Sequence, residues 1–175
     1  MYIIAMDMDY KLIYARRKSV SMKIEDDGTL TVRAPLGMSK KEIEKILLKY
    51  EYKLNKSREY TKAKADRIKE CDESLLRKKA EEILPLLIEK HSAEMGVSPK
   101  KIKLTKAKKR FGSCTSRGNL CFSLYLFTFP TEAIEYVIVH ELAHLTEFNH
   151  SKAFYALIER QLPDWKARRD ILKKW

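Results

Sequence analysis

His140-Glu141-Leu142-Ala143-His144, inside the run from Tyr136 to His150, decides how this chain reads. Ile134, Val137 and Ile138 precede it at helical spacing, with Thr131 as a candidate N-cap after Pro130 and Glu132 suited to the positive end of a helix dipole. Two imidazoles four residues apart on a helix share one face, with Cβ atoms about 5–6 Å apart. So placed, they can converge on one zinc ion at about 2.0–2.1 Å. Glu141 follows the first of them and projects obliquely beside the same point, where a carboxylate can act as general base on a water.

Two ligands are too few, because a catalytic zinc takes three protein ligands and keeps one position open. His150 is the expected third, six residues after His144. It requires the helix to end near Glu147 or Phe148, with Asn149 either in a left-handed turn or capping the next helix. Glu147, Glu159 and Asp164 are the competing carboxylates, Glu159 the best of them because it lies on the following helix. A closed structural site would want a fourth ligand, for which Cys114 and Cys121 are available; small buried thiols are the commoner use of such residues. His91 has no partner in spacing and reads as a helix-surface residue.

Outward from the motif, a last helix is expected from about Ser151, with Phe154, Leu157, Ile158 and Leu162 on one face. Upstream, residues 100–129 read as a β-hairpin turning around Thr115 to Asn119, its return strand running from Leu120 through Phe129. Leu75 to Ile88 carries a helical stripe that stops near Gly96 and Pro99, and Pro85 inside it should kink the helix or delay its start. Residues 53–80 are charged without a strong apolar stripe, and the domain boundary is expected there. Residues 1–35 read as β-strands, with Asp26-Asp27-Gly28 as a hairpin turn, and Ser39 as N-cap of a helix carrying Ile43, Ile46, Leu47 and Tyr50.

The expected organisation is therefore residues 1–70 as strands and a helix, and residues 71–175 as a catalytic core. Of the 175 residues 45% are hydrophobic, enough for a core, and with only 5 Gly and 5 Pro the helices should be long. Three cysteines, Cys71, Cys114 and Cys121, argue against a disulfide framework. No stretch approaches the roughly 20 apolar residues of a membrane span, and Met1 to Asp7 lacks the basic n-region of a signal peptide. The expectation is a cytoplasmic protein without membrane contact.

Arg110-Phe111-Gly112-Ser113-Cys114-Thr115-Ser116, Gly118-Asn119, the run from Tyr136 through Ser151 with Phe154, and Leu162-Pro163-Asp164-Trp165 together resemble the YgjP-like family of zinc metallopeptidases, zincin relatives akin to the SprT and WLM groups. The likeness reaches the first hairpin, at Asp27-Gly28 and Val32-Arg33-Ala34-Pro35. It implies an α+β, zincin-like core, a small antiparallel sheet with an active-site helix whose hairpin strand borders the metal cleft, plus an N-terminal β-hairpin/helix layer. Phe111 stands where that family has Trp. The ligand spacing equals that of metzincins, but Glu147 replaces their turn glycine.

Hydrolysis of an amide bond in a peptide or protein is the leading expectation. Zn2+ or another divalent transition metal would sit on His140, His144 and His150, with Glu141 as base. The substrate is expected as an added β-strand along Cys121 to Tyr125, with Arg110, Asn119 and Tyr155 as candidate transition-state contacts. The net charge is +12, and seven cations lie between Lys100 and Arg110. They suggest a second reading, in which the strand holds a nucleotide's phosphates or docks the enzyme on nucleic acid; a plain solvated lysine face is its rival. A non-catalytic module with a structural metal is the third.

Overall fold

The structure is a computed structural model that describes residues 2–5 and 8–173. It is α+β and divides into two compact units, Met1–Glu70 and Cys71–Trp175. Within the expected N-terminal strands, Met1, Met6 and Asp7 lie outside the described residues.

The first unit holds β1 (Tyr2–Ala5), β2 (Met8–Ala15), β3 (Ser21–Ile24), β4 (Leu30–Pro35) and α1 (Lys40–Glu70). The sheet order is β1-β2-β4-β3, and β3 and β4 form the expected antiparallel hairpin. Gly28, at φ 84°, makes the turn possible, since L side chains rarely adopt that conformation. Instead of a simple hairpin layer, β2 also pairs with β4 in parallel, from Tyr10 opposite Leu30 to Ala15 opposite Pro35. Alternate residues Tyr10, Leu12, Leu30, Val32 and Ala34 pack with Ile43 and Leu47 of α1 into one buried cluster.

Ser39 and Glu42 start α1 as a reciprocal capping box: the Glu42 carboxylate accepts the Ser39 N–H at 2.8 Å, and Ser39 Oγ accepts the Glu42 N–H at 3.3 Å. The helix then continues through the charged stretch 53–70 without a break. Its outer half is held by Leu54 packing on the cluster and by Arg58 Nε donating to the Gly28 carbonyl at 2.8 Å.

The second unit holds α2 (Glu73–Met95), β5 (Lys101–Thr105), β6 (Gly112–Cys114), β7 (Asn119–Ser123), a 3-10 turn (Leu124–Thr128), α3 (Thr131–Ala143), α4 (Lys152–Gln161) and α5 (Trp165–Leu172). Asp72 caps α2 by accepting the Ser74 and Leu75 N–H groups, and the helix runs through Pro85 to a left-handed Gly96. The sheet order is β5-β7-β6, with β5 parallel and β6 antiparallel to β7, so the sheet is mixed rather than antiparallel.

The expected return strand stops at Ser123. That residue's hydroxyl donates to the Ala107 carbonyl at 2.7 Å and accepts the Tyr125 N–H, which starts the 3-10 turn. Leu124 to Phe127 are then all buried, and an unbroken apolar run has no period to separate strand from helix. Lys79 of α2 secures the turn by donating to the Phe127 and Phe129 carbonyls at 2.9 and 3.0 Å. α3 is buried around most of its circumference, from Ala133 to Ala143, as a helix apolar on nearly every side must be.

Candidate metal centre

α3 ends at Ala143, earlier than expected, with His144 as its C-cap. The N–H groups of Leu145, Thr146 and Glu147 close tight turns onto Leu142 and Ala143. Ser151, not Asn149, caps α4 by accepting the Phe154 N–H at 3.2 Å. This short connection brings His150 back: the ligand atoms of His140, His144 and His150 lie within 4.8 Å of one another. The Phe154 ring underlies all three, with centroids 4.9, 4.5 and 4.8 Å from theirs.

These nitrogens fit a metal. Nε2 of His140 and Nε2 of His150 face each other at 3.1 Å. Nδ1 of His144 lies 3.1 Å from the Glu147 carbonyl, which can only accept; the proton is on Nδ1 and the lone pair is left on Nε2. Nδ1 of His140 is buried with no hydrogen-bond partner. Burial pushes the His140 pKa down to about 3, with His144 and His150 adding to the effect; burial also lowers His144. Neutral imidazole is the form that binds a metal.

Glu141 is 6% exposed, and burial pushes its carboxyl up to about 7 while the Arg110 guanidinium pulls it down. Gly112 makes room for it. A Cβ built at Gly112 would lie 2.5 Å from Glu141 Oε1 and 2.6 Å from its Cγ. The cleft over these groups, about 340 Å³, is lined by the three histidines, Glu141, Arg110, Phe148 and Gly112 to Cys114.

Of the expected contacts, Arg110 lines this cleft, while Asn119 and Tyr155 do not. Asn119 starts β7, and Tyr155 lies behind His150, ring centroids 6.3 Å apart, stacked on Trp165. Glu147, Glu159 and Asp164 are not among the grouped ligands, and Asp164 is held by Arg168 at 2.7 Å. Cys114 lines the cleft without joining the histidines, and Cys121 sits on β7.

The expected substrate strand and the expected basic patch also need correction. β7 is the central strand, so Cys121 to Ser123 cannot accept an added strand, and Leu124 and Tyr125 lie in the 3-10 turn. The edge beside the cleft is β6. Phe111 and Thr115 bond to β7, through Ser123 N–H to Phe111 C=O at 2.8 Å and Thr115 N–H to Asn119 C=O at 3.0 Å. By the alternation of an antiparallel pair, Gly112 and Cys114 direct their N–H and C=O groups away from β7. The basic run is also dispersed rather than gathered at the cleft. Lys101 and Lys103 lie on β5 at the opposite edge, Lys106 pairs with Glu73, and of the seven cations Arg110 alone lines the cleft.

His91 is buried at 1% exposure, not on the surface. Its Nε2 lies 2.8 Å from Glu135 Oε1, and Arg168 and Lys90 bond the same carboxylate at 2.6 and 3.1 Å. This cluster joins α2 and α5 to α3 five residues before His140. Burial opposes the Glu135 charge, but the bonds from His91, Arg168 and Lys90 outweigh it and hold the carboxyl at about 2. The folded pKa lies below the unfolded value of about 4.3, so the stabilisation is complete above that pH and is lost as pH falls toward 2. Thermal melts of the wild type and Glu135→Gln should differ by about 2 kcal/mol at pH 6, and the gap should narrow below about pH 4 and close as pH falls through about 2. A gap independent of pH would contradict this.

A short edge strand beside a buried helix that carries His140 and Glu141, with His144 at its C-cap and His150 returned by the connection that follows, is the arrangement of a metal-dependent hydrolase. The chain belongs to the YgjP-like metallopeptidase domain family, which matches residues 59–175. Among solved structures it is similar to the metallopeptidase zymogen abylysin of Pyrococcus abyssi, at 21% identity and a TM-score of 0.47, over 50% of this chain and 90% of that one. No curated protein matches the chain. Among the described residues no helix is long and apolar enough to cross a membrane.

Proposed function

We propose that this chain is a zinc-dependent peptidase whose metal is held by His140, His144 and His150 and whose general base is Glu141. The observation that carries the reading is the convergence of the three imidazoles beside a buried glutamate. Three imidazole nitrogen donors with one side open to a cleft are the donor set of a catalytic zinc.

A metal held there supplies a Lewis acid that polarises the scissile carbonyl and acidifies the attacking water. The rest belongs to the chain. Gly112 and Cys114 offer the free edge of β6, on which an extended peptide adds as an antiparallel strand. Glu141, seated against Gly112, takes the proton of the water that attacks the carbonyl carbon and delivers it to the amine as the C–N bond breaks. Arg110 donates toward the oxygen on which charge develops. Phe154 and the Glu147 carbonyl hold the imidazoles in place.

The test is a paired assay of the metal-loaded protein on an unfolded protein and on nucleoside triphosphates, with and without chelator. Cleavage of the unfolded protein alone, abolished by chelation, is expected. Cleavage of the nucleotide alone would overturn the assignment.

A further inference from the structure

A second cavity, about 460 Å³, opens beyond the catalytic cleft. Phe148 lines both, so the two are neighbouring compartments across one exposed aromatic ring. Leu145 and Thr146, which follow the ligand His144, form one side, and Ser116, Arg117 and Gly118 form the other. Those three residues make the turn that follows β6. The cavity therefore lies just past the strand's C-terminal end.

That position has a direction. A peptide added antiparallel to β6 runs opposite to Gly112–Cys114, so its N-terminal part passes Cys114 and reaches the turn. Strand rise is about 3.4 Å per residue, so a carbonyl near Gly112 places this cavity at side chains N-terminal to the scissile bond.

The lining is chemically biased. Lys100 and Arg117 are its only charged residues, both exposed, and neither has an acidic partner among the described residues. The Lys100 backbone N–H donates to the Gly118 carbonyl at 2.9 Å, which anchors the residue beside the turn, and its side-chain stem passes over Gly118. The C-terminus of α2 reaches the cavity at Gly96 with a partial negative charge of roughly half a unit, well short of cancelling two full cations. Val97, Leu145 and Phe148 complete it with apolar surface that suits a methylene stem.

We propose that this cavity is the specificity subsite of the cleft, taking an Asp or Glu side chain of the substrate N-terminal to the cut bond, with Lys100 and Arg117 as its recognition residues. The assignment rests on the peptidase reading for its substrate, but not on turnover for its test.

Glu141→Gln protein loaded with zinc binds peptides without cutting them, so affinity is read directly by fluorescence anisotropy. Matched peptides carry Glu, Gln or Lys at the second or third position before the bond. The Glu peptide should bind at least about tenfold more tightly than the Lys peptide, roughly 1.4 kcal/mol, with the difference shrinking as salt rises. Adding Lys100→Glu and Arg117→Glu should invert the order. Adding Lys100→Gln and Arg117→Gln should level it, and these milder changes at exposed positions leave the fold in place. Equal affinity for the three peptides, no binding of any of them, or an order unchanged by charge reversal would each overturn the subsite. If the predicted order holds in the binding series but the wild type cuts none of these peptides, the subsite stands and the peptidase reading falls.

Discussion

Glu141→Gln should lower kcat/KM on a peptide substrate by about a thousandfold or more while leaving the fold and the metal content unchanged. The amide has the shape of the carboxylate and fits the space that Gly112 leaves. It cannot accept a proton from water. Burial disfavours the charge at this position more than Arg110 favours it, so the neutral side chain removes a larger cost than the attraction it gives up. Melting temperature should therefore hold or rise. A variant that keeps a tenth or more of the wild-type rate would remove Glu141 from the base role.

Gly112→Ala should be the most damaging substitution outside the histidines and Glu141. The added Cβ falls within 2.5–2.8 Å of Glu141 Oε1, Cγ and Cδ, closer than non-bonded carbon and oxygen atoms approach. Glu141 is the flexible partner, so the carboxylate swings away while β6 keeps its pairing. Displacing a reacting group by about 1 Å costs on the order of a hundredfold in rate. Steady-state kinetics should show the loss in kcat, with metal content retained. Gly118→Ala is the contrasting control: its Cβ meets nothing closer than 3.7 Å, and its φ of 76° makes the penalty one of stability. Equal activity of Gly112→Ala and wild type would contradict the packing account.

How much of this was legible beforehand depended on the range over which each feature is decided. His140, Glu141 and His144 are grouped by helical geometry, and His150 by the short length of chain available for its return. Ser39 and Gly28 act through bonds a few residues away, so their neighbours announce them. Longer-range features left weaker traces. Gly112 lies between Phe111 and Ser113 with nothing nearby to show that a glutamate twenty-nine residues later occupies its missing side chain. His91 read as a surface residue because Glu135 and Arg168 come from other helices. Leu120 to Phe129 read as one strand because the segment is mostly apolar and aromatic; Ser123 ends the strand through a bond to Ala107, which a local pattern does not reveal.

The basic run from Lys100 to Arg110 shows the same limit in reverse. Its charges are adjacent in sequence, but β7 lies between β5 and β6, so the lysines of β5 and the edge beside the cleft fall on opposite sides of the sheet. α5 was not expected at all: eight residues with Trp165 as the one buried side chain form too short a stripe to read as a helix.

Metal content per chain tests the central claim most directly, measured by elemental analysis on wild type, Glu141→Gln and His150→Ala after equilibration with limiting zinc and desalting. His150 is exposed, so its loss leaves the core intact. About one equivalent should remain in the wild type and in Glu141→Gln, and retention should drop by tenfold or more in His150→Ala, the effect expected when one of three ligands is removed. Full retention in His150→Ala, or none in the wild type, would contradict a three-histidine metal centre.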